Sequence, residues 1–212
     1  MNINYLITGA NRGIGLALAE ELISNGEKVI SLYRRSSDSD KLISLQSKNP
    51  SRVELHKADV TVENDLISTS KKIENLDVLI CNAGIMGARG GMMDENNNYN
   101  IISDVLMTNV AGPFFTIRAF LNQIKQSKNP KIIIISSHMG SQKHTGSESY
   151  FYRASKAAIN NIMITFSNEL RVSEIPIVCV HPGWVRTEMG GSFATLSTQE
   201  SARSLYKFIQ KI

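Results

Sequence analysis

Short apolar segments alternate with longer segments of helical periodicity along the chain. The apolar segments predict six strands, at residues 5–8, 28–33, 52–57, 77–81, 131–136 and 177–181. Most of these segments are strongly hydrophobic, which is typical of a parallel sheet that helices cover on both faces. Strands that alternate with helices through right-handed crossovers predict an α/β, doubly wound Rossmann-type sheet in the order 3-2-1-4-5-6.

Helical patterns fill the intervals between the predicted strands. In the first of them, Leu18, Leu22 and Ile23 recur on one face. Thr61 is the predicted N-cap of the helix after the third strand, because a threonine side chain can accept a hydrogen bond from a free N–H group. The predicted helices cover residues 14–26, 61–74, 101–127 and 150–171, and a last one starts near residue 198.

Two polar segments interrupt this alternation. Residues 84–100 are rich in Gly, Met and Asn, and residues 139–149 are polar and contain glycine. The first segment fits a solvent-exposed loop and one wall of a substrate site equally well, since long loops in compact domains are often functional. No repeat or linker marks a second domain, so we expect one domain over residues 1–212.

Composition and charge disfavour several classes of protein. The 23 basic and 19 acidic residues give a net charge of +4. Because the basic residues are scattered, this charge fits a phosphorylated cofactor better than a nucleic acid. Cys81 and Cys179 lie in predicted strands and are expected to be free thiols, and no Cys/His spacing suggests a metal site. No secretory signal or membrane-length apolar segment is visible, so we expect a cytoplasmic protein that does not bind membranes.

A glycine-rich turn follows the first predicted strand. The sequence Thr8-Gly9-Ala10-Asn11-Arg12-Gly13-Ile14-Gly15 leads from this strand into the first predicted helix. Glycines let the backbone approach a phosphate closely, and a helix N-terminus offers free N–H groups and the positive end of its dipole. The turn therefore predicts a dinucleotide site.

The end of the second predicted strand bears on which dinucleotide binds. Arg34 and Arg35 stand there, the nearest acid is Asp38, and Arg12 lies in the glycine turn. A carboxylate at this place would hold the ribose 2′-hydroxyl of NAD, whereas guanidinium groups suit the 2′-phosphate of NADP. We therefore expect NADP(H) to be favoured over NAD(H); the alternative is that these arginines are only solvated.

Four further motifs follow predicted strands or begin a helix. They are Asn82-Ala83-Gly84, Ser136-Ser137-His138-Met139-Gly140, Tyr152-Arg153-Ala154-Ser155-Lys156 and Pro182-Gly183-Trp184-Val185-Arg186-Thr187. Together with the glycine turn, and over nearly the whole chain, they resemble the short-chain dehydrogenase/reductase family. The compact layout and the segment 137–141 resemble its branch of small carbonyl reductases that includes C-factor-like proteins.

The tyrosine motif can perform acid–base chemistry. Tyr152 and Lys156 are four positions apart and share a helix face. A nearby ammonium favours a phenolate, so we expect Lys156 to lower the pKa of Tyr152. Tyr152 can then exchange a proton with a substrate oxygen to which Ser137 donates a hydrogen bond. Tyr150 has no lysine four residues later, and Ser136 fits the family pattern less well than Ser137.

The resemblance implies further roles. It assigns Asn109 to a water-borne proton relay and gives Lys156 a second contact, with the nicotinamide ribose. It places Asp59 and Val60 at the adenine, residues 82–84 at the adenosine ribose, and Thr187 at the nicotinamide carboxamide. The implied catalytic residues are Asn109, Ser137, Tyr152 and Lys156. The implied cofactor-binding residues are Gly9, Asn11, Arg12, Gly13, Ile14, Gly15, Arg34, Arg35, Asp59, Val60, Asn82, Ala83, Gly84, Tyr152, Lys156, Pro182, Gly183, Val185 and Thr187.

The implied activity is hydride transfer between NADP(H) and a small carbonyl or alcohol substrate, in a homo-oligomer that is a dimer or a tetramer. The chain departs from the family pattern at Cys81, where Asn is usual, and in lacking a seventh strand. The alternative function is a nucleotide-binding signalling or sensor protein of the same fold with little turnover. His138, His144 and His181 are interpreted as structural or exposed residues.

Overall fold

The structure, a computed structural model, describes residues 3–34 and 39–212. Its strands are β1 (Asn4–Thr8), β2 (Lys28–Tyr33), β3 (Val53–Lys57), β4 (Val78–Cys81), β5 (Lys131–Ile135) and β6 (Ile177–Val180). They form one parallel sheet in the order β3-β2-β1-β4-β5-β6. The predicted sheet order is confirmed, and every predicted strand end lies within one residue of the observed one. In the described ranges no seventh strand joins this sheet.

Seven α-helices connect or follow the strands in the described part of the chain. They are α1 (Gly13–Ser24), α2 (Asp40–Lys48), α3 (Glu63–Ser70), α4 (Tyr99–Leu106), α5 (Gly112–Gln126), α6 (Tyr150–Glu169) and α7 (Thr198–Ile209). The sequence pattern did not predict α2. This helix is nine residues long and buries only Leu42, so the spacing of Leu42 and Leu45 is too short a signal to distinguish a helix from a loop.

The strands bury their two faces in two separate hydrophobic cores. Tyr5 and Ile7 of β1 pack in one core with residues of α1 and α7. Leu6, on the opposite face of β1, packs in the other core with residues of α3, α5 and α6. This alternation follows from the two-residue period of a strand. Helices on both faces leave the carboxyl edge of the sheet as the place for a ligand.

Thr61 is not the N-cap of α3, contrary to the prediction. The helix begins at Glu63, two residues later, and Val62 precedes it. The backbone N–H and the hydroxyl of Thr61 both donate to Asp59 Oδ1, over 2.9 and 2.8 Å. Asp59 thus organises this turn, since an aspartate readily accepts a hydrogen bond from the backbone two residues further on.

The helix predicted over residues 101–127 contains a change of helical geometry. Residues Met107–Ala111 form a π-helical turn between α4 and α5. A π-turn holds an extra residue and redirects the side chains next to it, and such turns often occur at functional sites. Asn109 lies in this turn and is buried.

The two irregular segments and the two free cysteines lie where the sequence predicted them. Residues 82–98 contain no regular helix or strand, and residues 141–149 likewise run irregularly before α6. Cys81 and Cys179 are free thiols, and burial raises the pKa of Cys179 to about 11. A search of the described ranges finds no helix long and apolar enough to cross a membrane.

Candidate active site

A cleft of about 990 Å³ lies along the carboxyl edge of the sheet. It is lined by most of the residues predicted to bind the cofactor: Gly9, Asn11, Arg12, Gly13, Ile14, Arg34, Asp59, Val60, Asn82, Ala83, Gly84, Tyr152, Lys156, Pro182 and Thr187. Among the described candidates, Gly15, Asn109, Ser137, Gly183 and Val185 do not line the cleft. The structure therefore brings residues from six separate chain segments to one place.

The glycine turn is held against the end of β4. Asn82 Nδ2 donates to the carbonyl oxygens of Thr8 and Gly9, over 3.0 and 3.1 Å. The hydroxyl of Thr8 accepts from the backbone N–H groups of Asn82 and Ala83. Gly9 has a φ of +66°, and a Cβ there would lie 3.0 Å from Ala83 Cα. Glycine is required at this position because the backbone conformation and the neighbouring strand both exclude a side chain.

We expect the Gly15→Ala variant to lose NADPH binding by about tenfold or more, because overpacking of this kind costs about 1–3 kcal/mol. A Cβ at Gly15 would lie 2.4 Å from the Gly9 carbonyl oxygen and 2.5 Å from Asn82 Nδ2, so it would push the turn away from β4. Titration of protein fluorescence with NADPH measures the loss. Gly26→Ala is the control, because Gly26 has a φ of +88° and an open environment, so its replacement strains the backbone away from the cleft. Equal effects of the two variants on binding would contradict this account.

The N-terminus of α1 fits an external anion. Arg12 precedes the helix in an extended conformation, and neither a side-chain cap nor an acidic residue in the first turn satisfies the helix N-terminus within the described chain. The first N–H groups of such a helix need acceptors, and the dipole adds a positive potential. The residues present therefore fit the pyrophosphate of a dinucleotide.

The arginines predicted to meet a 2′-phosphate already have carboxylate partners. Arg12 forms an ion pair with Glu188, and Arg34 Nε lies 3.8 Å from Asp59 Oδ2. Arg35 and Asp38 lie outside the described residues. Lys41 of α2 also lines the cleft, and the sequence analysis missed it because α2 itself was not predicted.

Tyr152 and Lys156 lie on α6, at the wall of the cleft, and both are buried. Lys156 Nζ donates to the carbonyl oxygen of Ile135 over 2.8 Å and lies 5.7 Å from the centre of the Tyr152 ring. Burial lowers the pKa of Lys156 to about 8. The ammonium is therefore held at the site at a considerable desolvation cost.

The direction of the Tyr152 pKa shift is opposite to the one expected from Lys156. Burial of the hydroxyl raises its pKa, and a hydrogen bond with Ser137 only partly offsets that rise. Desolvation dominates because a charged phenolate loses more hydration free energy than a neutral phenol when it is removed from water. Tyr152 is therefore protonated at neutral pH.

Ser137 and Ser136 have different environments. Ser136 is buried, and its hydroxyl donates to Asn160 Oδ1 over 2.7 Å. Ser137 is half-buried, its oxygen accepts from the Met139 N–H over 3.1 Å, and its side chain partly offsets the rise in the pKa of Tyr152. This difference favours Ser137 as the serine that acts with Tyr152.

Asn109 connects three parts of the site behind the cleft. Its Oδ1 accepts from the Ile85 N–H over 2.9 Å, and its Nδ2 donates to the Ile85 carbonyl oxygen over 2.8 Å and to Ser155 Oγ over 3.0 Å. Ser155 belongs to α6, between Tyr152 and Lys156. The π-turn thus lets one side chain tie the segment after β4 to the helix that carries the tyrosine.

The segment after β6 closes one end of the cleft. Val185 is buried and pairs with Leu196, and Thr187 Oγ1 accepts from the Gly190 N–H over 2.9 Å. Arg89, from the segment after β4, donates to the carbonyl oxygens of Glu188 and Met189. No sequence motif pointed to Glu188 or Arg89, because their partners are more than ninety residues away in the chain.

Comparison with known proteins agrees with this site. A family model described as short chain dehydrogenase matches residues 4–196. C-signal of Myxococcus xanthus is 36% identical over 135 residues, which are 63% of this chain and 80% of that protein. The carbonyl reductase Sniffer of D. melanogaster superposes with a TM-score of 0.94 at 28% identity, covering 100% of this chain and 93% of its own. The NADPH-bound carbonyl reductase from chicken fatty liver superposes with a TM-score of 0.90 at 29% identity, with coverage of 100% and 93%.

The similarities cover the sheet, the glycine turn and the tyrosine helix together. The matched residues 4–196 make up most of the chain. Solved structures of similar proteins hold NADP or NADPH, which agrees with a cleft built for a nicotinamide dinucleotide. The chain belongs to the short-chain dehydrogenase/reductase family of oxidoreductases.

Proposed function

We propose that this protein is an NADPH-dependent reductase of small carbonyl compounds, with Tyr152 as the proton donor. The observation that carries the proposal is the position of Tyr152, which is buried and lines the same cleft as the glycine turn. A phenol that is protonated at neutral pH can donate to a developing alkoxide, because the alkoxide is the stronger base. The similarity to two carbonyl reductases supports a carbonyl as the reacting group.

Each residue of the site has a distinct role in this proposal. When bound, NADPH supplies the hydride. Tyr152 delivers a proton to the substrate oxygen, and Ser137 donates a hydrogen bond to the same oxygen as its negative charge develops. Lys156 keeps a positive charge beside the tyrosine and contacts the nicotinamide ribose. Asn109 holds two parts of the site together, the segment after β4 and the helix α6. In this proposal it lies next to the path by which a proton returns to Tyr152.

We expect NADPH to bind more tightly than NADH. We also expect the Arg34→Asp variant to bind NADPH about tenfold more weakly. A hydrogen bond to a charged group contributes about 1.5–3 kcal/mol, and Arg34 is partly solvated, so the loss should lie near the lower end of this range. Arg34 Nε lies 3.8 Å from Asp59 Oδ2, so a 2′-phosphate must compete with that carboxylate. Calorimetric titration with both cofactors tests the preference. NADH binding by the variant serves as the control and should change little. Tighter binding of NADH than NADPH by the wild type would contradict the proposal.

A second candidate is a nucleotide-binding signalling protein with little turnover. The similarity to C-signal favours it, because that protein's name describes a signal and not a reaction. The two candidates differ in one measurable property, the rate of NADPH oxidation with a panel of aldehydes, ketones and quinones. Turnover that depends on Tyr152 supports the reductase, whereas tight NADPH binding without turnover on any of these carbonyls supports the signalling protein.

A further inference from the structure

Three of the four histidines of the chain meet beside the candidate active site. His138 Nδ1 and His181 Nε2 are 2.9 Å apart, which is hydrogen-bond distance. Their rings lie nearly perpendicular, with centres 4.5 Å apart. The ring of His144 packs on that of His138, with centres 4.8 Å apart. The reaction described above uses none of these rings.

The two bonded histidines extend neighbouring strands. The Ser136 N–H donates to the Val180 carbonyl oxygen over 2.8 Å, so the pairing of β5 with β6 continues up to these residues. His138 follows Ser137 directly, and His181 directly precedes the predicted cofactor-binding segment that starts at Pro182. The hydrogen bond between the two rings therefore joins the segment after β5, which carries Ser137, to the segment after β6, which is predicted to bind the cofactor.

The short 3-10 helix His138–Gly140 is held from two sides. On one side, Gly140 packs so closely on α6 that a Cβ there would lie 2.7 Å from the Lys156 carbonyl carbon. On the other side, His138 bonds to His181. Ser137 is the N-cap of this short helix, and its side chain partly offsets the rise in the pKa of Tyr152. The two contacts hold the short helix that directly follows Ser137.

We propose that His138 and His181 are positioning residues of the reaction. Their ring-to-ring hydrogen bond holds Ser137 beside Tyr152, and this bond breaks when both rings are protonated to the imidazolium form. The inference rests on the proposed reductase function. A hydrogen bond between two imidazoles needs one nitrogen as donor and the other as acceptor, so at least one ring must be neutral. When both rings are in the positively charged imidazolium form, the two facing nitrogens are both donors. The two like charges then repel each other, and the pair separates.

The surroundings of the pair favour its neutral form. Burial and the charges of His138 and His144 lower the pKa of His181. Arg153 of α6 adds a further positive charge near His144, since it donates to the carbonyl oxygen of that residue. The bond is therefore intact at neutral pH and is lost as the pH falls below the ordinary range of a histidine. The proposal predicts an acidic limit to activity that originates outside the reacting groups.

The test compares the pH profiles of kcat and of NADPH affinity in matched variants. We expect His181→Ala to lower kcat about tenfold near pH 8, because small displacements of a catalytic group have effects of this size or larger, while NADPH affinity changes by less than about twofold. His181→Gln keeps a side chain that can donate and accept but cannot titrate. It should restore most of kcat and remove the fall in kcat at acidic pH. His138→Asn should act like His181→Gln, since its amide stands near the position of Nδ1.

His56 supplies the control. It is the remaining histidine, lies on β3 and contacts Glu54 at 2.5 Å, away from the cleft. His56→Gln should leave the kcat profile unchanged. Wild-type kcat and pH dependence in His181→Ala, or an equal change in His56→Gln, would overturn the proposal.

A second measurement does not depend on turnover. NMR titration of the imidazole C–H signals in the cofactor-free protein should show His138 and His181 titrating in linked steps, and replacement of either should shift the signal of the other. Independent titration of the two rings would overturn the positioning role even in a protein with no measurable turnover. If the two rings titrate in linked steps but the protein turns over no carbonyl, the proposed reductase function is wrong. The predicted effect of the histidine pair on kcat is then wrong as well.

Discussion

The Tyr152→Phe variant is expected to lose at least about a thousandfold in kcat for carbonyl reduction, within the range contributed by a positioned proton donor. Phenylalanine keeps the ring in its buried position and removes only the hydroxyl. NADPH affinity and the free energy of unfolding should therefore change little. Steady-state oxidation of NADPH with a reactive aldehyde or quinone measures kcat, and titration of fluorescence measures binding.

Tyr150 provides the matched control for this variant. It lies on the same helix, two residues earlier, but its side chain is 47% exposed and does not line the cleft. Tyr150→Phe should retain wild-type kcat. If Tyr152→Phe turned over at the wild-type rate while Tyr150→Phe did not, the tyrosine would be wrongly assigned and Tyr150 would be the proton donor.

The Lys156→Met variant has the second largest expected effect, a fall in kcat of about a hundredfold or more, comparable to the loss of one charged or hydrogen-bonding group that stabilises a transition state. Methionine keeps much of the apolar stem and removes the ammonium. The Ile135 carbonyl oxygen loses the donor it has over 2.8 Å. NADPH binding should weaken as well, because Lys156 lines the cleft and is proposed to contact the ribose. Parallel measurement of kcat and of NADPH affinity separates the two effects.

Lys156 also predicts how stability depends on pH. Burial lowers its pKa to about 8 in the folded protein, whereas an unfolded lysine has a pKa of about 10.4. Between these values the unfolded chain binds the extra proton, so the free energy of unfolding should rise with pH, by up to about 3 kcal/mol in total. Below pH 8 both states are protonated and the full desolvation cost remains.

Urea unfolding of the wild type and of Lys156→Met at several pH values from 7 to 10 measures this contribution. The difference in unfolding free energy between the two proteins should change in favour of the wild type as the pH rises through 8. A difference that stays constant over this range would show that the ammonium is not desolvated in the folded protein.

The sheet could be predicted from the sequence because its strands carry their own signal. Segments such as residues 78–81 and 131–135 are buried on both faces and therefore nearly continuously apolar. The glycine turn was also readable, since Gly9 and Gly15 are positions where a side chain would meet the backbone or Asn82. The tyrosine and lysine were readable because one turn of helix brings them to the same face.

Other features depend on contacts between distant parts of the chain and leave no local pattern. The environment of Asn109 follows from a π-turn, and no periodicity distinguishes that turn from an ordinary helix. Arg12 pairs with Glu188, 176 residues away, so its side chain was expected to be available for a phosphate although it has a carboxylate partner. The raised pKa of Tyr152 was missed for the same reason, since burial is a property of the folded protein and it outweighs the neighbouring charge.

The bond between His138 and His181 joins residues 43 positions apart. Each was interpreted as a structural or exposed residue, since a single histidine after a strand has no specific meaning. Only the parallel pairing of β5 with β6 brings the two strand ends together. Adjacent strand ends in a predicted sheet order are therefore the one place where the sequence offered a clue to this contact.

The most direct test of the reductase assignment is the transfer of deuterium from NADPH labelled at the nicotinamide C4 position to the carbonyl carbon of a substrate. The wild-type protein should place the label on the carbinol carbon formed from at least one aldehyde or ketone of the panel. Tyr152→Phe should bind the labelled cofactor and form almost no labelled product. Saturating NADPH binding with no labelled alcohol from any carbonyl of the panel, or full label transfer by Tyr152→Phe, would contradict the account.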